Sequence, residues 1–248
     1  NIRKYYGELH GYVKDYKHFA ADDDANGPVF FLRALDDMPV FGEPAPQDVA
    51  EAWLNYGREG VGLYWWGGYG VSTEHTAYLN LKNGIPAPQS GSIHQNGKTL
   101  AEQIGGQIFI DTWGLIAPAD PARAARYAVT AASVSHDGEG LHGAAFMAAA
   151  ISKAFETSDM EEIIAEIRRC YPECAITLSI GEKPSKAYER YFMKGANRYL
   201  LRHETIDRGH YYCLHPYEMS NERRIKCLHE LKRIGYQTGT GIMVGSPL

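Results

Sequence analysis

The chain has 248 residues, 44% hydrophobic and 22% charged, with a formal net charge of −5. That composition excludes a disordered chain and leaves room for one large core or two ordinary ones. No apolar run approaches the roughly 18 residues of a membrane span, and neither half carries the basic stripe of a nucleic-acid binder.

The charge is unevenly spread. Residues 1–160 hold 11 Lys and Arg against 19 Asp and Glu, whereas residues 161–248 hold 14 against 11, and all four Trp fall in the first stretch. A boundary near residue 160 is therefore expected. The four cysteines, Cys170, Cys174, Cys213 and Cys227, lie in the last third, too sparse for a disulfide-stapled domain, so a reducing cytoplasm is the expected compartment. The first residues, Asn1 to Tyr6, contain neither Met nor an apolar signal core, which reads as a fragment.

In chain order, Asn26-Gly27-Pro28 is expected to cap and start a helix through Leu35. Pro46 opens a second helix with Val49, Trp53 and Tyr56 on one face. Thr73 to Lys82 reads as a third, closed by Asn83-Gly84. Leu100, Ile104, Ile108 and Leu115 mark a long apolar helix interrupted by Gly105-Gly106 and Gly114. Pro121 to Ala132 and Leu141 to Phe155 follow as alanine-rich helices, and such faces pack closely, giving an all-α bundle. Beyond residue 158 the pattern alternates. Ser158-Asp159-Met160-Glu161 reads as a capping box opening a helix to about Cys170. Strands are expected at Ala175–Ile180, Arg198–Arg202 and Thr240–Val244, separated by helices at Ser185–Lys194 and Asn221–Ile234. About three parallel βα units result, too few to close an eight-stranded barrel.

Asp22-Asp23-Asp24 stands just before a helix. Three adjacent carboxylates suit a hard divalent cation; a solvated acidic loop favoured by the helix dipole is the alternative. The blocks AADDDANGPVFF (20–31), YWWGGYGVSTEHTAYLNLKNGIPAP (64–88), IGGQIFIDTWGLIAP (104–118) and ASVSHDGEGLHGAAF (132–146) resemble bacterial ADP-ribosylglycohydrolases, in order over about residues 1–160. The resemblance implies an all-α fold that binds ADP-ribose or an ADP-ribosylated substrate beside two Mg²⁺ (or Mn²⁺) ions and hydrolyses an N- or O-glycosidic bond. It places Asp22, Asp23 and Asp24 on the metal cluster, with Ala25 where a Thr is common. Gly105 and Gly106 fall on a glycine turn approaching the ligand, and His136, Asp137 and Gly138 on the segment lining the ADP-ribose cleft. Taken alone, His136 reads equally as a buried structural histidine. The family's second cluster, of Asp-x-Asp-Thr type, occurs nowhere in the chain, so the implied binuclear site is incomplete. The catalytic residue is unassigned.

Residues 174–248 resemble the middle of FeFe-hydrogenase maturases and their radical-SAM relatives, through Ile176 to Glu182, Gly195 to Thr205 and Gly235 to Pro247. That resemblance implies a partial parallel β/α barrel in which Glu182, Arg202 and Glu204 lie at strand ends and contact S-adenosylmethionine. Salt-bridged strand ends are the alternative. The Cys-x-x-x-Cys-x-x-Cys loop of an iron–sulfur cluster is absent: Cys170 and Cys174 have its first spacing, but Thr177 holds the third position, so both cysteines are expected to be structural.

The expected organisation is a mixed one. An all-α ADP-ribosylglycohydrolase-like bundle spans 1–160, and a radical-SAM-barrel-like β/α region spans 161–248. An inactive chimera of two fragments is the third reading. Exposed apolar faces and open sheet edges imply self-association.

Overall fold

A computed structural model of the chain describes residues 23–38, 42–61, 64 and 66–243, with the side chains of 23–25 outside that description. The described residues fall into two compact units, one ending at Ser158 and the other beginning at Asp159.

The first unit is helical throughout. It comprises α1 (Asp23–Asp37), α2 (Pro46–Tyr56), α3 (Thr73–Lys82), a 3-10 turn (Gln89–Gly91), and the short helices α4 (Ile93–Asn96), α5 (Lys98–Ala101), α6 (Gly105–Ile108) and α7 (Asp111–Leu115). Two longer helices, α8 (Pro121–Ala132) and α9 (Glu139–Lys153), complete it. Local chemistry sets the starts. Pro46 opens α2 while the Asp48 carboxylate accepts the Ala45 N–H at 2.7 Å. Ser72 caps α3 by accepting the His75 N–H at 3.2 Å, and Asp120 caps α8 by accepting that of Arg123 at 3.0 Å. Helices α8 and α9 pack closely because Ala124, Ala128, Ala131, Ala144 and Ala148 are all fully buried and add almost no bulk between backbones. Around them stand Phe31, Trp53, Phe109 and Trp113, each fully buried, with Phe31 5.5 Å from Trp113 and 5.7 Å from Phe109 between ring centroids.

Two sequence expectations fail here for tertiary reasons. Helix α1 already runs at Asp23 and carries Pro28 inside it rather than at its start. The lost backbone donor is tolerated where neighbours fix the segment. The Pro28 carbonyl accepts the Thr112 hydroxyl at 2.8 Å, and Gly27 lies so near Phe109 that a Cβ there would come within 2.6 Å of the Phe109 Cβ. The long apolar helix through Leu100 to Leu115 is instead three short ones, and Ile104 and Leu115 are 64% and 54% exposed. Gly105 and Gly106 open the short helix α6 and Gly114 lies in α7; each lets another group come close, Gly114 admitting Ile151 of α9.

The second unit contains α10 (Met160–Cys170), β1 (Ile176–Leu178), α11 (Ser185–Met193), β2 (Ala196–Leu200), α12 (Arg208–Leu214), α13 (Asn221–Ile234) and β3 (Gln237–Gly239). The strands form a small parallel sheet in the order β1-β2-β3, with Leu178 opposite Tyr199 and Tyr199 opposite Thr238. Helix α10 is capped by Asp159, whose carboxylate accepts the Glu161 N–H at 2.8 Å, and not by Ser158. The third strand comes earlier than Thr240: Thr240 turns its hydroxyl to the Leu201 carbonyl at 2.8 Å, and Ile242 makes an isolated bridge to Glu204. Helix α12 has no expectation behind it. Tyr188, Tyr199 and Tyr236 pack edge to face at 5.2 and 5.7 Å between centroids, and each hydroxyl is hydrogen-bonded to backbone, so burial raises their pKa without leaving them orphaned, Tyr199 to about 12. Among the described residues no helix is long and apolar enough to cross a membrane.

Candidate functional site

In the first unit the residues Gly105, Gly106 and His136 meet around one buried imidazole. His136 lies four residues beyond Ala132, the last residue of α8, and is 1% exposed. Its Nε2 accepts the Gly106 N–H at 2.9 Å. In a neutral ring the proton then sits on Nδ1, which donates to the Ser135 hydroxyl at 2.7 Å. Burial lowers the His136 pKa to about 3, consistent with that neutral form. The Glu74 carboxylate, also buried, lies 3.7 Å from the same Nε2. Two acceptors facing each other are not an ion pair; proximity here reflects packing through the gap Gly105 leaves. A Cβ on Gly105 would overlap Glu74 Oε1 and sit 3.0 Å from His136 Nε2, and one on Gly106 would come 2.8 Å from the Gly140 carbonyl. The glycine pair is thus occupied from the protein side by His136, Glu74 and Gly140.

Asp137 and Gly138 lie on the adjoining turn. The Asp137 carboxylate accepts the Ile93 N–H at 2.9 Å and the Gly138 N–H at 2.7 Å, tying the α4 start to the α9 start. Gly138 has φ +53°, and a side chain there would strike the Glu102 carboxylate. Glu102 in turn accepts the Glu139 N–H at 3.3 Å at the α9 N-terminus. Beside this turn opens a cavity of about 640 Å³ whose walls include Pro88, Val129, Leu141, His94, His136 and Asp137. Trp66 is engaged in packing, edge-on to His75 and Tyr78 at 5.0 and 5.3 Å.

Of the acidic triplet, Asp22 lies outside the described residues, and the side chains of Asp23 and Asp24, which begin α1, are likewise outside them. Among the described residues no group of three or more His, Cys, Asp or Glu is arranged to hold a metal. Glu74, Ser135 and Glu102 had no prior expectation. An acid in the first helical turn, as Glu74 is, reads from sequence as a dipole partner, and only the fold brings it to residue 136.

In the second unit Glu182 follows β1, and Arg202 and Glu204 both follow β2, beyond the carboxyl ends of those strands. Glu182 is held by two arginines of α13: Arg224 Nε reaches Oε1 at 2.7 Å and Arg223 Nε reaches Oε2 at 3.0 Å. Arg224 also donates to the Arg202 carbonyl at 2.8 Å. Glu204 adopts φ +62°, closed by a Thr205 N–H bond to the His203 carbonyl at 2.7 Å. The Tyr211 hydroxyl is buried beside Arg224, and burial, the largest cause, raises its pKa. Among the described residues Cys170, Cys174, Cys213 and Cys227 are free thiols; burial comes first among the causes that raise Cys170 and Cys227.

Comparison with known proteins finds two likenesses. Over 88 residues the chain is 46% identical to the [FeFe] hydrogenase maturase subunit HydE of Thermotoga maritima, a stretch covering 36% of this chain and 24% of that protein. The chain thus spans about a quarter of the length of this curated relative. The family model for ADP-ribosylglycohydrolase matches residues 1–222. Only 26 residues lie beyond that match, so the two likenesses overlap on the chain. With most of its length matched, and with a helical first unit that gathers Gly105, Gly106 and His136, the chain belongs to the ADP-ribosylglycohydrolase family.

Proposed function

We propose that the protein binds ADP-ribose, or an ADP-ribosylated substrate, in its first unit and hydrolyses the N- or O-glycosidic bond of the ADP-ribosyl group. The observation that carries this reading is the family match over residues 1–222 together with the His136 turn, whose His136 and Asp137 line the 640 Å³ cavity. In this reading the neutral His136 acts as a support. Its Nε2 fixes the Gly106 N–H and its Nδ1 fixes Ser135, so the glycine turn and the cavity wall keep their shape. Asp137 orients the α9 start in the same way.

Asp22, Asp23 and Asp24 are proposed to hold Mg²⁺ (or Mn²⁺), since consecutive carboxylates are the oxygen donors such ions take. When bound, the metal would orient ribose hydroxyls and act as a Lewis acid. One carboxylate cluster is half of a binuclear site, which makes weak metal affinity part of the proposal. Calorimetric titration of ADP-ribose tests it: heat is expected with Mg²⁺ present and a loss of at least about tenfold in affinity for Asp24→Asn. A folded sample giving no heat with ADP-ribose and Mg²⁺ would overturn the reading.

A second reading is favoured by the 46% identity over 88 residues and by the strand ends that carry Glu182, Arg202 and Glu204. We propose in that case that the second unit is a piece of a radical-SAM-type β/α barrel, binding S-adenosylmethionine without an iron–sulfur loop. The joining of two such segments as one chain, active or inactive, belongs to the same proposal.

A further inference from the structure

We propose that the cavity beside the His136 turn is a base pocket in which Gln89 reads the edge of a bound adenine and the His94 ring stacks on its face, an inference that rests on the ADP-ribose reading above. Four apolar side chains, Pro46, Pro88, Val129 and Leu141, line the 640 Å³ cavity. Among the described lining residues there is no Lys or Arg, whereas the Asp137 carboxylate is present. A diphosphate brings negative charge that such walls leave unbalanced. A flat, uncharged heteroaromatic ring suits them, because it buries its faces and needs hydrogen bonds only along its edge.

The walls are fixed by bonds between distant parts of the chain. The Gln47 side-chain amide donates to the Ala87 carbonyl at 2.9 Å, which ties the start of α2 to the Pro88 wall. The Ser90 hydroxyl donates to the Val134 carbonyl at 2.7 Å and the Ile93 N–H to Asp137 at 2.9 Å, so the 3-10 turn and α4 are held against the segment after α8. Within this frame two polar groups are uncommitted. Gln89 and His94 both line the cavity, and among the described residues neither side chain has a hydrogen-bond or ion-pair partner. A primary amide presents one donor and one acceptor side by side, the complement of N7 and the 6-amino group of adenine. Hypoxanthine carries a carbonyl oxygen in place of that amino group and sets two acceptors against each other. Stacking on an imidazole is indifferent to which purine is bound.

Equilibrium binding of ADP-ribose and of inosine diphosphate ribose, which differs from it only in the base, tests this on the full chain with Mg²⁺ present. The wild type is expected to prefer ADP-ribose by roughly tenfold, the scale of one bidentate amide–base contact. Gln89→Ala should bring the two affinities together. His94→Ala should weaken both ligands by a similar factor, and His94→Phe should restore them. Gln95→Ala, which removes an amide of α4 outside the cavity lining, should keep the wild-type preference. A wild type that binds both ligands equally, or a Gln89→Ala variant that keeps the full preference, overturns the base pocket and leaves the ADP-ribose reading standing. Unchanged affinities in His94→Ala overturn the stacking role. A wild type that binds neither ligand overturns the pocket and the ADP-ribose reading together.

Discussion

Burial takes the His136 imidazole to about 3, and the Gly106 N–H on Nε2 leaves that nitrogen no proton of its own. The consequence for stability has a definite sign. A folded pKa below the unfolded value near 6.5 means that the unfolded chain gains a proton the folded chain refuses, so stability falls as pH drops from about 6.5 toward 3. One such group contributes a slope of roughly 1.4 kcal/mol per pH unit across that window. Denaturant unfolding at several pH values should show this acid sensitivity in the wild type and a shallower limb in His136→Asn; parallel limbs would contradict it. The histidine and its two glycines were legible in the sequence only through long matching blocks, since His136 alone reads equally as structural. Glu74 was not legible. Its approach to residue 136 depends on a contact between residues 62 positions apart in the chain, which no local pattern encodes.

At the level of elements, helices with strong local signals fall where expected: Pro46–Tyr56, Thr73–Lys82 and Pro121–Ala132 have a proline or a hydroxyl cap at the start. Elements whose limits come from tertiary contacts do not. The apolar spacing from Leu100 to Leu115 reads as one helix, yet glycines at 105, 106 and 114 serve close approach and the chain turns between them. Strand β3 is displaced from the apolar run after Thr240 because parallel pairing with β2 sets its register. One side chain of α10 bonds to the carbonyls on both sides of β1. Arg168 donates to the carbonyls of Pro172, Cys174 and Gly195, each at 2.7 Å, and stems against Gly195 at φ +115°. Arg168→Ala strands three carbonyls and is expected to cost about 2–3 kcal/mol, read as a lowered urea midpoint for the second unit. An unchanged midpoint would show that water replaces these bonds at no cost.

Over the whole molecule, the described residues divide into compact units between Ser158 and Asp159. The family match runs past that division to residue 222. The all-helical character of the first unit and the parallel order of the second were readable from periodicity; the apolar cavity beside Asp137 was not, because its walls come from α2, the 3-10 turn, α8 and α9 together. Hydrolysis is the property that decides the account. Incubating the purified chain with an ADP-ribosylated peptide and following free ADP-ribose by chromatography, the account predicts release with Mg²⁺ that chelation abolishes and Asp23→Asn reduces. Equal release from wild type, variant and chelated samples, or none from a folded wild type at saturating Mg²⁺, would contradict it.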